Sequence, residues 1–331
     1  MVRFGIIGTN WITENFINAA SEIEDFILTA VYSRTEEKAK EFANKYNVET
    51  TYTNLDEFVQ SEAFDAVYVA SPNSFHKEQA IACMKNGKHV MVEKAIASSA
   101  DELREMIETA QQNNVLLMEA LKTTHLPNFK IIQENLHKIG SVRRYFASYC
   151  QYSSRYDAYK EGTVLNAFKP EFSNGSLMDI GIYCIYPMVA LFGKPTELKA
   201  NALMLDSGVD GQGSVIFDYE NMNGAVMFSK IANSYIQSEI QGEKGSIIID
   251  SISKPTNVEI KYKDGSSENI TQNQKSNTMY YEAKEFIELI TNNQTESLVN
   301  SYENSLHTAM VLEEARKQMG VVFPADQSKD K

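Results

Sequence analysis

Three short runs constrain this chain more than anything else in it: Phe4-Gly5-Ile6-Ile7, Ala66-Val67-Tyr68-Val69 and Val90-Met91-Val92. A strand apolar on both faces must be covered on both, which in practice means a parallel sheet with helices above and below. Helical patterns fill the gaps. Trp11, Ile12, Phe16 and Ala19 follow the first run, and Ala39, Phe42, Ala43 and Tyr46 recur at i, i+3, i+4 and i+7, the spacing of one buried stripe. Ser99 with Glu102 forms a capping box that opens a helix with Leu103, Met106, Ile107 and Ala110 on one face. Phe26–Ser33, Val48–Tyr52 and Val115–Met118 add strands, and 55–59 and 75–85 add helices. Right-handed crossovers then give a doubly wound α/β domain over residues 1–121.

After Glu119 the pattern changes. A helix is predicted near 128–137, then a strand over Ser141–Tyr152, a long irregular stretch at 153–174, and an apolar helix over 177–192. Alternating segments follow: 198–205, 214–219, 224–229, 235–241, 246–249 and 258–262. The connections Asn221-Met222-Asn223-Gly224 and Gly242-Glu243-Lys244-Gly245 carry hairpin residues. Residues 122–331 therefore read as an α+β domain with an open, mostly antiparallel sheet. Two helices close it, one burying Met279, Ala283, Phe286, Ile287 and Ile290, and the Asp326–Lys331 tail is expected to be disordered.

Composition narrows the function. A chain of 331 residues is long for one core, and its net charge of −13 disfavours nucleic acid or an anionic membrane as partner. An anionic ligand must then find local positive charge or helix N-termini. No apolar run approaches the roughly 18 residues of a membrane span. The first strand begins at Val2, leaving no room for a signal peptide, and the three cysteines are widely spaced, so a cytoplasmic, reduced chain is expected. The five histidines show no metal-ligand spacing, and no Gly-x-Ser-x-Gly elbow is present.

The chemistry lies at strand ends, where open α/β sheets bind ligands. In Gly5-x-x-Gly8-Thr9-Asn10-Trp11-Ile12 a strand breaks into a glycine turn and a helix whose first N–H groups can receive a pyrophosphate. Asn10 stands where a close-approach glycine is usual; Asn tolerates positive φ, so the turn survives that exchange. Read alone, this is either a dinucleotide site or a plain strand-to-helix turn. The second strand ends in Ser33-Arg34-Thr35, with Lys38 a turn later. NAD sites usually place a carboxylate there, whereas a guanidinium and hydroxyls suit the 2′-phosphate of NADP. The alternative is a solvated cation beside Glu36 and Glu37. Ser71, Asn73 and His76 follow the fourth strand, Ser74 is a plausible helix cap, and the fifth strand closes on Glu93 and Lys94. Glu93 either bonds ribose or orients Lys94.

Taken together, Gly5-x-x-Gly8, Ser71-Pro72-Asn73-x-x-His76, Gly87-Lys88-His89-Val90-x-Val92-Glu93-Lys94 and Gly175-Ser176-Leu177-Met178-Asp179-Ile180-Gly181-Ile182-Tyr183 make the chain resemble the glucose-fructose oxidoreductase and inositol dehydrogenase (Gfo/Idh/MocA) family over nearly its full length. The resemblance implies that Lys94 lies beside nicotinamide and substrate, with Asp179 and Tyr183 facing it from the second domain. Tyrosine at 183, where inositol dehydrogenases usually have histidine, is similar to the branch of dimeric dihydrodiol dehydrogenase. One departure is Ala95 in place of the family proline, which leaves the peptide after Lys94 either cis or trans.

Independently, Asp179 and Tyr183 are four apart and share a helix face. Carbonyl reduction leaves an alkoxide that a phenol can protonate, and an ammonium near a phenol lowers its pKa from about 10. The structural alternative is a buried stripe with Asp179 as its cap. Lys122 and Arg155 are candidates for the substrate pocket. The expectation is an oxidoreductase, with NADP favoured over NAD, that interconverts an alcohol and a carbonyl on a sugar, polyol or small diol. It would be a homodimer or higher oligomer through its second sheet. The alternatives are an NAD-dependent polyol dehydrogenase and a non-catalytic nucleotide-binding sensor.

Overall fold

β1 (Val2–Ile7) is buried everywhere but at Arg3, whose guanidinium is held by Asp65 at 2.6 Å. It sits between β2 (Phe26–Tyr32) and β4 (Ala66–Val69) in a six-stranded sheet completed by β3 (Thr50–Tyr52), β5 (His89–Glu93) and β6 (Leu117–Ala120). The order is β3-β2-β1-β4-β5-β6, and every pair is parallel. That is the doubly wound arrangement expected from the apolar runs. In the computed structural model, which describes residues 1–327, the crossovers are α1 (Trp11–Ala20), α2 (Glu36–Lys45), α3 (Leu55–Gln60), α4 (His76–Lys85) and α5 (Ala100–Asn113). The capping box forms with a one-residue shift: Ser99 Oγ accepts from Glu102 N at 3.3 Å, and Glu102 Oε2 accepts from Ser98 N at 2.9 Å.

The chain divides into two compact units: Met1–Lys122 with Lys275–Tyr302, and Thr123–Gln274 with the segment from Glu303 onward. A boundary at 121 thus leaves out one return segment. It carries α9 (Met279–Thr291), whose Ala283, Phe286 and Ile287 join the core around Phe4, Phe16 and Tyr68. Phe16 stacks on Tyr68 at 3.8 Å, and Phe286 lies 5.9 Å from Phe4. Heptad-like spacing shows that α9 has a buried face but not which core receives it.

The second unit is built on an eight-stranded sheet. Its strands are β7 (Val142–Cys150), β8 (Glu197–Met204), β9 (Asp210–Asp218), β10 (Asn223–Ser229), β11 (Ser238–Gly242), β12 (Gly245–Ile249), β13 (Val258–Tyr262) and β14 (Ser267–Asn269). The order is β14-β13-β12-β11-β7-β10-β9-β8, antiparallel except at β7–β10. Both expected hairpins join neighbours here. β14 is short and polar, which is why no alternation betrays it. Its helices are α6 (Pro127–Asn135), α7 (Tyr156–Lys160), α8 (Ile182–Phe192), α10 (Tyr302–Met319) and α11 (Pro324–Gln327), of which α10 begins in the first unit. The stretch Pro170–Phe192 is long and apolar enough to cross a membrane, contrary to the expectation that no run is, but 72% of its most apolar window is buried within the fold.

Two further expectations are corrected. The apolar helix does not run unbroken from 177: Leu177–Gly181 is a π-helical turn, and α8 begins only at Ile182. Asp326 is not in a disordered tail; it lies in α11 and pairs with buried Arg316 at 2.8 Å. Residues 328–331 fall outside the described residues.

Gly8 fixes the mouth of the first sheet. Its φ is +104°, and a Cβ there would lie 2.6 Å from the carbonyl oxygen of Ala70 at the end of β4. Gly8→Ala combines a left-handed strain with a backbone clash. It should destabilise the protein by about 3 kcal/mol, read as a lower midpoint in urea denaturation. An unchanged midpoint would show that the turn can move.

Candidate active site

At the carboxyl edge of the first sheet the strand order reverses between β1 and β4, the place where such sheets take their ligands. The glycine turn holds, though not as expected. Asn10 is extended, with φ −115°, and is the N-cap of α1. Its Oδ1 accepts from Ile12 N at 2.9 Å while its Nδ2 donates to Ala70 O at 2.8 Å. The amide thus does by hydrogen bonding what positive φ was expected to do. Thr13 adds a bond to Gly8 O at 2.9 Å. Thr9 and Ile12 are half-buried beside the turn, and Trp11 is 62% exposed at the helix start.

Ile7 and Tyr32 are register partners, so Ser33, Arg34 and Thr35 leave β2 beside this turn. Ser33 is buried and its N–H donates to Tyr52 O at 3.1 Å. Arg34, Thr35 and Lys38 are exposed. Glu36 pairs with Lys40 at 2.5 Å rather than with Arg34. The edge therefore offers a guanidinium, and no carboxylate stands at the strand end.

Behind the fourth and fifth strands the groups become buried. Ser71 Oγ donates to Gln79 Oε1 at 2.7 Å, and Asn73 is buried in a single 3₁₀ turn. His76 is fully buried, with Nε2 2.8 Å from Ser71 O and Nδ1 3.0 Å from Ala95 O. Burial pushes its imidazole down to about 4, against the pull of those carbonyls. At neutral pH the ring carries one proton and donates to one of the two. The buried ring thus lies between the carbonyls of two loops. Between them, Lys94 is half-buried and the Lys94–Ala95 peptide is cis. Glu93 accepts from the Tyr68 hydroxyl and, at 3.3 Å, from Lys94 N; burial raises its carboxyl above the ordinary range. Ile96 N donates to Glu119 at 3.0 Å.

The second unit carries the other expected residues. Asp179 lies in the π-helical turn, one side of its carboxylate taken by the ammonium of Lys230. It is not a helix cap. Tyr183, half-buried in the first turn of α8, packs edge-on against Tyr149 at 5.8 Å. Asp210 Oδ2 accepts from Leu177 N at 2.6 Å, and burial pushes its carboxyl up to about 7 against that bond and the cations Lys230 and Arg316. Arg155 is exposed at the start of α7, while Lys122 belongs to the first unit.

Sequence patterns had not singled out Lys230, Asp210 or Glu282. Asp210 opens β9, Lys230 directly follows β10, and Glu282 lies within α9. Among the described residues no cluster of three or more His, Cys, Asp or Glu could hold a metal.

A model for the oxidoreductase family with an NAD-binding Rossmann fold matches residues 2–121, and one for the GFO/IDH/MocA C-terminal domain matches residues 132–248. The chain belongs to the GFO/IDH/MocA family. It is an oxidoreductase. Among GFO/IDH/MocA relatives, scyllo-inositol 2-dehydrogenase (NADP(+)) IolU of Bacillus subtilis is 59% identical over 328 residues, covering 99% of this chain and 100% of that one. The trans-1,2-dihydrobenzene-1,2-diol dehydrogenase of Xenopus laevis is 30% identical, covering 97% and 99%. Among solved structures, an aldose-aldose oxidoreductase from Caulobacter crescentus superposes with a TM-score of 0.85 at 20% identity over 96% and 97% of the two chains. That likeness speaks for the fold.

Glu282 generates a pH test. It is 1% exposed on α9, and neither carboxyl oxygen has a hydrogen-bond partner among the described residues. Burial raises its carboxyl well above the ordinary range; Glu93 pushes the same way and Lys122 opposes. The folded state keeps this proton above the pH, near 4.3, at which the unfolded chain releases it. Stability is therefore lost as pH rises from there toward the folded pKa, by about 1.4 kcal/mol per unit at most. Glu282→Gln should match the parent at pH 4 and exceed its thermal midpoint increasingly by pH 8. A difference that does not grow, or that reverses, as pH rises would mean Glu282 is ionised in the fold.

Proposed function

We propose that this protein is an NADP-dependent dehydrogenase that oxidises a secondary hydroxyl of a cyclic polyol of the inositol type, reversibly. The observation that carries it is the β2 edge: Arg34 exposed beside the glycine turn, with Ser33 and Thr35 flanking it and no strand-end carboxylate. A guanidinium binds a phosphate with two parallel donors, and in a chain of net charge −13 such a local cation is what an anionic cofactor needs. The relative whose name specifies scyllo-inositol and NADP(+), similar over the full length, supports both halves of the reading.

The residues present fit such a cofactor. At Gly8 there is no room for a Cβ, and α1 turns its N-terminus toward the same edge. When bound, NADP+ supplies the hydride acceptor. Lys94 is assigned the oxygen of the reacting carbon, its ammonium stabilising the charge that grows there. Tyr183 is assigned the proton of that oxygen, taking it in oxidation and returning it in reduction. Asp179 accepts a hydrogen bond from a neighbouring hydroxyl and so orients the ring. Lys122 and Arg155 complete the substrate assignment in this reading. The unit bearing the glycine turn then serves the cofactor, and the unit bearing Asp179 and Tyr183 the substrate. The free cysteines Cys83, Cys150 and Cys184 support a reducing compartment such as the cytoplasm.

Self-association belongs to the same reading. Leu203, Ile216 and Met227, on β8, β9 and β10, are 49%, 56% and 42% exposed on one face of the second sheet. Covering that face with a second copy gives a homodimer. Ile216→Glu with Met227→Glu should shift the sedimentation coefficient to that of a monomer; an unchanged value places the interface elsewhere.

The lone tryptophan, Trp11, gives a direct binding signal at the start of α1. Titration should show NADPH bound more tightly than NADH. Arg34→Ala should cost NADPH roughly tenfold to hundredfold and leave NADH unchanged, as expected for one charge-assisted contact. With scyllo-inositol and NADP+, Tyr183→Phe should cut kcat about a hundredfold while NADPH affinity holds. Equal binding of the two cofactors overturns the NADP assignment, and full turnover by Tyr183→Phe overturns the proton assignment.

A further inference from the structure

We propose that Lys230 is a positioning residue for the reaction: from the end of β10 its ammonium holds the Asp179 carboxylate in the single orientation that presents it to a substrate hydroxyl. The inference rests on the reading of Asp179 given above and adds the residue that makes that reading work.

Lys230 is 4% exposed, a condition lysine rarely accepts without a partner. Its ammonium forms an ion pair with Asp179 and lies 5.2 Å over the ring of Phe168, itself fully buried. The backbone around it is fixed. Lys230 N donates to Gly211 O at 2.9 Å, and Lys230 O accepts from Ser153 N at 2.8 Å. Next to Gly211 is Asp210, whose carboxylate takes Leu177 N at 2.6 Å and fills the space beside Gly175 where a Cβ would fall. The π-helical turn is therefore clamped at two points by two neighbouring strands, at Leu177 by Asp210 from β9 and at Asp179 by Lys230 from β10.

Stability alone gives little reason for a buried ammonium here. A buried ion pair about breaks even against well-packed apolar side chains, so a merely structural position would be served as well by methionine or leucine. What an apolar residue cannot do is hold a carboxylate. With Lys230 on one side, Asp179 keeps 31% of its side chain exposed on the other. An adjacent ammonium also favours the ionised form, which is the form that accepts hydrogen bonds.

The test is a double-mutant cycle on full-length protein with scyllo-inositol and NADP+: Lys230→Met, Asp179→Asn and the pair, with kcat and KM measured separately and NADPH affinity read from Trp11. Lys230→Met should lower kcat/KM roughly tenfold or more with NADPH affinity unchanged, and the pair should be within about twofold of Asp179→Asn alone. Lys230→Met with near-parental kcat/KM beside a crippled Asp179→Asn overturns the proposal and leaves the reading of Asp179 standing, as do losses that simply multiply. Parental kcat/KM in Asp179→Asn overturns that reading, and the role of Lys230 with it. Should Lys230→Met not fold, Lys230→Gln, which removes the charge and ends one bond short of the ammonium, makes the same comparison.

Discussion

The carbonyl of Ala70 is the point on which the first unit's working edge depends. Gly8 passes over it so closely that no side chain is tolerated, and Asn10 reaches back to hydrogen-bond it at 2.8 Å. One backbone acceptor thus joins the end of β4 to the turn after β1. The start of α1 is aimed by the same contact, because the Asn10 amide that donates to Ala70 also caps Ile12 N. A turn lacking the usual second glycine keeps its shape through a side chain with both a donor and an acceptor. Alanine there would offer neither.

Around this edge the polar groups are buried and held. His76 donates to one of Ser71 O and Ala95 O; Glu93 links Tyr68 to the backbone of Lys94; Asn300 donates to Glu119 O at 2.9 Å and Leu121 O at 3.2 Å. In the second unit Asp210 and Lys230 play the corresponding part for the turn bearing Asp179. Lys94, Asp179 and Tyr183 are half-buried, and Glu93, Asp210 and Lys230 near them are almost wholly buried. Buried polar groups of this kind specify one arrangement because every alternative leaves a donor, acceptor or charge unmatched in a medium that cannot solvate it.

Much of this was legible in the chain. Apolar runs with 3.6-residue helical patterns between them suffice for the parallel sheet, since strands buried on both faces admit few other solutions. The second sheet was legible as far as its alternation was strict and its turns carried Gly and Asn. It was illegible at polar β14 and at the parallel β7–β10 pair, because alternation marks a strand but not its neighbour's direction. Helix propensity alone made 177–192 one helix. The π turn at its start is bonded to Asp210 of β9, a contact that sequence spacing does not encode.

By itself, then, the sequence determined the local facts: the elements, the buried faces, the glycine turn, the basic edge after β2 and the motif residues Lys94, Asp179 and Tyr183. Each depends on periodicity or on the chemistry of a few adjacent side chains. Only the tertiary structure decided that α9 completes the first core, that Asn10 is extended and bonded to Ala70, that His76 and Glu282 are sealed from water, and that Lys230 meets Asp179. Those partners are 51 residues apart, and Asn10 and Ala70 are 60 apart. No local rule spans such separations; chain folding supplies the partner, and burial then makes the pairing compulsory.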